Sequence, residues 1–409
     1  MKLRGLAIFT ETRKLAAMAA LLMWGLWLLD VGVGAYLHRP EKTDAAGLIV
    51  GADFVQFYAA GKTLLAGKSD TLYQRGVQRE LQHEITQTHL DGLLNFNQPP
   101  FVAIPFVAFA LIPYLAAFAI YTVANLALLR SCLRLLGEPS GATLLVVLSW
   151  FPVLCVGSYG HYTFLTMLLV SGTYVLWRRG YFFSAGLLFS LTAYKPNLML
   201  GVSVLFLLDW KRAYRALFGL GLGVSGLVLL CVIVLPEASR SYVQTLTHDF
   251  AALQAGSDSL FVKEHTIYVF WNALLGGHTG VVKVVTLLSQ AAAVGAFVLL
   301  WRRKPRPEVA FAFSLILAFW LTPYVIIYDL SLLAISAILL WNANTELRPA
   351  LKDYYLLFWF APFLSLTLLV PIQARYLPIV VHVGELSFIV VSILAWRKVM
   401  RTLGCFSSP

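Results

Sequence analysis

Charge is what this chain has least of. Only 12% of its 409 residues are charged and 59% are hydrophobic, whereas soluble domains carry about 25% charged residues. A globular core of this size cannot hide so much apolar side chain, because a soluble exterior needs polar cover. The composition excludes an ordinary soluble domain and points to many spans in lipid. Cysteine is scarce as well. Cys132, Cys155, Cys231 and Cys405 show neither a disulfide framework nor metal-ligand spacing. No paired-acid motif of the DxD kind, no internal repeat and no low-complexity tract is present, so no metal is called for and a repeat architecture is excluded. The net charge of +11 would suggest nucleic acid in a soluble protein. In a membrane chain it reflects Lys and Arg gathered on one side, and no nucleic-acid partner is expected.

What the chain does have is a series of apolar runs near spanning length, bounded by basic or turn residues. They predict an all-α polytopic membrane protein forming a single domain, with about twelve spans at 16–37, 100–129, 141–157, 162–177, 181–195, 196–209, 213–235, 281–301, 309–323, 326–342, 354–371 and 377–396. The first run is too long for the apolar core of a signal peptide and reads as a span. The stretch 181–209 holds two short segments, as broken helices do where they line a cavity. Twenty of the 31 basic residues but only six of the 20 acids fall at the ends placed inside, which sets both termini in the cytoplasm. Two long loops, 38–99 and 236–280, then lie outside, together with all eight histidines.

The stretch 51–74, GADFVQFYAAGKTLLAGKSDTLYQ, follows the first span. Residues 54–66 have helical spacing, too polar to span, and predict a helix lying along the outer membrane surface. Asp53 directly precedes it, with Gln56 three residues on. By itself this is a capping-box pattern, with Asp53 as N-cap.

This stretch, followed by NQPPFVAIPFVAFALIP (97–113), GSYGHYTFLTMLL (157–169), LTAYKPNLMLGVSVLFLLDWKRAYRAL (191–217) and LTPYVIIYDLSLLA (321–334), resembles glycosyltransferase family 87. These are polyprenol-phosphate-mannose-dependent α-mannosyltransferases of the GT-C fold. The resemblance rests on the order and spacing of the motifs and covers most of the chain. The chain departs from it in two places: Gly160-His161 stands where members often have Gly-Gln, and Val325 to Asp329 where some have Ser-Trp-x-His-His.

The resemblance implies transfer of a hexose, mannose by expectation, from a polyprenyl phosphate to a hydroxyl of a lipid or glycan acceptor. The anomeric carbon is inverted, on the extracytoplasmic face of a bacterial inner membrane. Donor, acceptor and membrane lipids are the partners; no cofactor or metal is needed, since the donor carries one phosphate. Asp53 is the implied general base. Lys195, an intramembrane charge beside Pro196, and Arg375 on an outer turn are candidates for the leaving phosphate. Tyr58, Gln98, His161, Tyr162, His265, Tyr328 and Asp329 are candidates for sugar or acceptor, Asp329 also as an alternative base. Glu385 is an isolated acid in the last span with no role on this reading. The alternative is a twelve-span transporter or a flippase for lipid-linked sugars, against which the lack of a repeat weighs.

The orientation is checked by reporter fusions at Arg178 and Ala255, expected to read inside and outside respectively. Both on one side would overturn it.

Overall fold

The computed structural model describes residues 2–88, 94–246, 264–277, 279–343, 359, 361–362 and 382–405. Among these the secondary structure is helical, with two isolated antiparallel bridges, Thr43 with Ile49 and Glu264 with Ile326. The chain packs as two compact units. One comprises 1–168 and 222–256; the other comprises 169–221 and 257–409.

Four helices among the described residues are long and apolar enough to cross a membrane: Arg13–Leu37, Tyr114–Leu135, Trp210–Val234 and Thr279–Arg302. A fifth crossing is formed if Gly141–Leu148 and Phe151–Tyr159, bent by 82°, make one span. The other apolar helices are shorter, Pro196–Leu208 and Pro307–Leu321 among them. The expected span 354–371 lies outside the described residues, and 377–396 is seen from residue 382 onward.

The expected span 100–129 is a correction. A short 3-10 turn, Pro100–Ala103, and a single helical turn, Phe106–Phe109, precede the helix proper, which starts at Tyr114. Pro105 and Pro113 carry no N–H and so interrupt the ladder that a spanning helix needs.

In the first unit the Phe54–Leu65 helix does not lie on a surface. Eight of its twelve residues are buried, and Gly61 packs so closely that an added Cβ would stand 2.3 Å from the Phe106 carbonyl oxygen. The Phe54 ring is ringed by Tyr58, Phe106, Phe109, Tyr114, Phe118 and Tyr121 at centroid distances of 4.9–6.2 Å. The return of the first loop is held by buried amides. Gln78 donates to the Leu72 carbonyl at 2.8 Å and accepts from the Phe96 N–H at 2.9 Å, while Gln82 donates to the Leu94 carbonyl at 2.7 Å. At the bend between the two short helices, Trp24 of the first span donates its indole N–H to the Leu148 carbonyl at 3.0 Å.

In the second unit small residues let helices touch through their backbones, as is usual where lipid gives no hydrophobic drive to association. A Cβ on Gly186 would lie 1.7 Å from the Ala216 carbonyl oxygen, and one on Gly201 would lie 1.9 Å from that of Ser314. The second contact seats the Pro196–Leu208 helix on Pro307–Leu321, a helix buried along most of its length.

Gly201→Ala is therefore expected to destabilise the protein by about 1–3 kcal/mol through overpacking. Gly226→Ala, with nothing within 4 Å, should be neutral or slightly stabilising. Thermal unfolding in detergent compares the two, and equal midpoints would refute the contact.

Candidate active site

In the first unit, Asp53 is held by its surroundings rather than by a cap. It precedes the Phe54–Leu65 helix already in helical conformation (φ −82°, ψ −29°), and its side chain makes no capping hydrogen bond. The capping-box expectation therefore fails. Gln56 Nε2 approaches Asp53 Oδ1 at 3.5 Å, and the Asp53 N–H donates to the Tyr159 carbonyl at 2.8 Å.

Two glycines flank this bond. Gly51 and Gly160 both have φ +70°, and a Cβ on either would strike the Phe118 ring, at 2.7 and 2.8 Å. The Tyr114 hydroxyl donates to the Val50 and Gly51 carbonyls at 2.7 and 3.1 Å. The residue as a whole is half-buried, while its Oδ2 is enclosed.

The other candidates of this unit are mostly used in packing. Tyr58 is buried and donates to the Ile112 carbonyl at 2.7 Å. His161 is buried with Nδ1 2.7 Å from the Thr163 hydroxyl, and its ring lies 4.1 Å from that of Tyr162, which itself stacks near Phe57. All three are buried in the packing of the first unit. Gln98 is half-buried and accepts from the Tyr73 hydroxyl through its backbone carbonyl at 2.6 Å. Tyr73 packs on Tyr242 at 5.5 Å, which fastens the first loop to the Pro236–Gln244 helix.

The second unit gathers Lys195, Tyr328 and Asp329. Lys195 ends the turn after Phe182–Ser190 and precedes the Pro196–Leu208 helix, as the two short segments of the sequence predict. Its ammonium pairs with the Asp329 carboxylate, the side chains being 11% and 3% exposed. It also lies 5.0 Å from the centroid of the Tyr328 ring, a cation–π contact that strengthens when desolvated. Asp329 sits in the Ile327–Leu332 turn, and its Oδ2 accepts from the Ile326 N–H at 3.3 Å. A carboxylate so enclosed and paired is a poor base, so the geometry favours Asp53 over Asp329 for that part.

Asn197, which the sequence does not single out, clamps this turn by donating to the Thr322 hydroxyl at 2.9 Å and to the Tyr324 carbonyl. Only its position two residues after Lys195 hints at it. Arg375 lies outside the described residues.

His265 is buried. Its Nδ1 meets the Glu385 carboxylate, whose other oxygen is 3.4 Å from His382 Nδ1. The signal missed is the i, i+3 spacing of His382 and Glu385. Next to His265, burial pushes the Glu264 carboxyl up to about 7, with His265 opposing. Among the described residues no group of His, Cys, Asp and Glu is arranged to hold a metal ion.

Helices long and apolar enough to cross a membrane are present among the described residues. The comparison with known families makes this specific: the model for glycosyltransferase family 87 matches residues 96–327, more than half of the chain, and the chain belongs to that family. It is a membrane glycosyltransferase, and the transporter and flippase readings fall away. The matched span includes Lys195 and His161 but begins after Asp53 and ends just before Tyr328. No curated protein and no solved structure gives a significant match.

The ion pair makes its own prediction. Lys195→Met leaves a buried carboxylate unpaired and is expected to lower stability by about 3–5 kcal/mol. The double variant Lys195→Met/Asp329→Asn should recover most of this loss. Thermal unfolding of the purified variants decides, and a single variant as stable as the double would show that the pair is not formed.

Proposed function

We propose that the chain transfers mannose from a polyprenyl phosphate to a hydroxyl of a lipid or glycan acceptor, with inversion, on the extracytoplasmic face of a bacterial cytoplasmic membrane. Such a reaction belongs to glycolipid and cell-envelope synthesis. Asp53 takes the proton of the acceptor hydroxyl as its oxygen bonds to the anomeric carbon. The bond from that carbon to the phosphate oxygen breaks, and the polyprenyl phosphate leaves with the electron pair. One displacement with one base gives inversion, and no enzyme nucleophile is required.

Lys195 meets the charge that develops on the leaving phosphate. An ammonium has three N–H donors, and Asp329 is one of its partners. The desolvated setting makes the remaining attraction stronger than in water. Tyr328 and Gln98 are assigned to sugar and acceptor, and Arg375 to the donor phosphate. Tyr58, His161, Tyr162 and Asp329 support the groups that act.

The observation that carries this reading is Asp53: half-buried, fixed through its backbone to Tyr159, and not used as a cap.

Asp53→Asn and Asp53→Ala separate base from scaffold. Asp53→Asn keeps the side-chain shape and an oxygen that accepts from Gln56, so it is expected to unfold within about 0.5 kcal/mol of the parent, while Asp53→Ala also loses that bond and is expected to cost about 1 kcal/mol. Both should lose roughly a hundred-fold to ten-thousand-fold in rate, as removal of a general base does. The measurement is single-turnover transfer from polyprenyl-phosphate mannose, with donor binding determined separately. An Asn variant within a few-fold of the parent would overturn the assignment.

A further inference from the structure

Glu385 is the one acid of the last described helix that the chemistry above leaves unused. It stands in the first turn of Val383–Cys405. Its side chain is 2% exposed, between His265 at 1% and His382 at 0%. A carboxylate this deep is costly unless groups of opposite charge or hydrogen-bond donors compensate it, and the two imidazoles are the groups that supply this. Full burial keeps all three away from substrate, and no metal fits among them.

The cluster leads directly to the Lys195 site. The His265 N–H donates to the Val325 carbonyl at 2.7 Å, and Glu264 forms an antiparallel bridge with Ile326. The Asp329 N–H in turn donates to the Ile326 carbonyl at 2.8 Å, and the Ile326 N–H to the Asp329 carboxylate at 3.3 Å. A bridge of this length is not stable alone, since even an isolated two-stranded hairpin is marginal in water. Its loop side needs an anchor, and the His265 imidazole on Glu385 supplies a buried one at that end. The path from Glu385 to Lys195 is thus imidazole, paired backbone, carboxylate, ammonium, with no gap.

We propose that Glu385 is a positioning residue for the donor-phosphate site: by holding His265 it fixes the Val325–Ile326 strand, hence the Asp329 carboxylate and the direction in which Lys195 presents its ammonium. This rests on the reading of Lys195 as the phosphate-binding group.

The test is a double-mutant cycle on binding of polyprenyl phosphate to the purified full-length protein, accompanied by KM and kcat with polyprenyl-phosphate mannose. Glu385→Gln keeps the shape of the side chain and removes its charge. It is expected to weaken binding and raise KM about ten-fold, within the range seen for coupled sites, with little change in kcat. In the Lys195→Met/Asp329→Asn background, where the path is already cut, the same substitution should change binding less than about two-fold. Equal losses in both backgrounds would make Glu385 a merely structural residue and overturn the proposal, as would no loss in either. If Glu385→Gln does not fold, His265→Gln is carried through the same cycle with the same two outcomes; failure of both to fold makes the cluster plain scaffold and also overturns it. Should the Lys195→Met/Asp329→Asn protein bind polyprenyl phosphate as well as the parent, the phosphate reading of Lys195 falls. A Lys195-dependent site indifferent to Glu385 defeats only the present inference.

Discussion

The Phe118 ring, wedged against Gly51 and Gly160, is the contact on which the geometry of the first unit depends. Both glycines are in the left-handed region, where a side chain is strained. Here a Cβ would also meet the ring. The two turns can approach only because nothing projects from them. That approach lets the Asp53 N–H reach the Tyr159 carbonyl, and the surrounding rings of Phe54, Tyr114 and Tyr121 fill the space around the wedge. A base needs a fixed direction more than it needs partners. Here the direction of Asp53 comes from the backbone.

The second unit solves a different problem, that of keeping a cation inside a bundle. Charge in such a place is expensive and is compensated by a partner and by buried polar neighbours. Lys195 has an acid, an aromatic face and a neighbouring amide clamp. The backbone-to-backbone packing of Pro196–Leu208 on Pro307–Leu321 holds the turn that carries it. Helix packing and electrostatics therefore bear on one another: the small residue at 201 keeps the helix where the ammonium has company.

Much of this was readable from the chain. The apolar runs show a membrane bundle, and Lys195-Pro196 marks a helix break because proline starts helices and cannot continue one. The motifs at 97–113, 157–169 and 191–217 point to the family that residues 96–327 match. Other features were hidden for physical reasons. Asp53 fits a capping box by spacing alone, yet its conformation is helical and its side chain does not cap, and no sequence pattern encodes that dihedral. The helix after it has the composition of an interfacial segment, but the rings that bury it come from residues 106–121, a tertiary fact. Glu385 reads as an isolated charge because its main partner, His265, is 120 residues away. The burial of His161 and His265 is likewise a tertiary fact that residue type does not reveal.

The thirteen residues of Pro196–Leu208 span only about 20 Å, some 10 Å less than the hydrocarbon core of about 30 Å. At the end opposite Lys195, Asp209 pairs with Arg212 at 2.9 Å, and that arginine is 63% exposed. A helix this short is matched in lipid by local thinning of the bilayer or by burial of its ends in protein. A helix shorter than the hydrocarbon core makes the local membrane thickness a physical parameter of this part of the bundle.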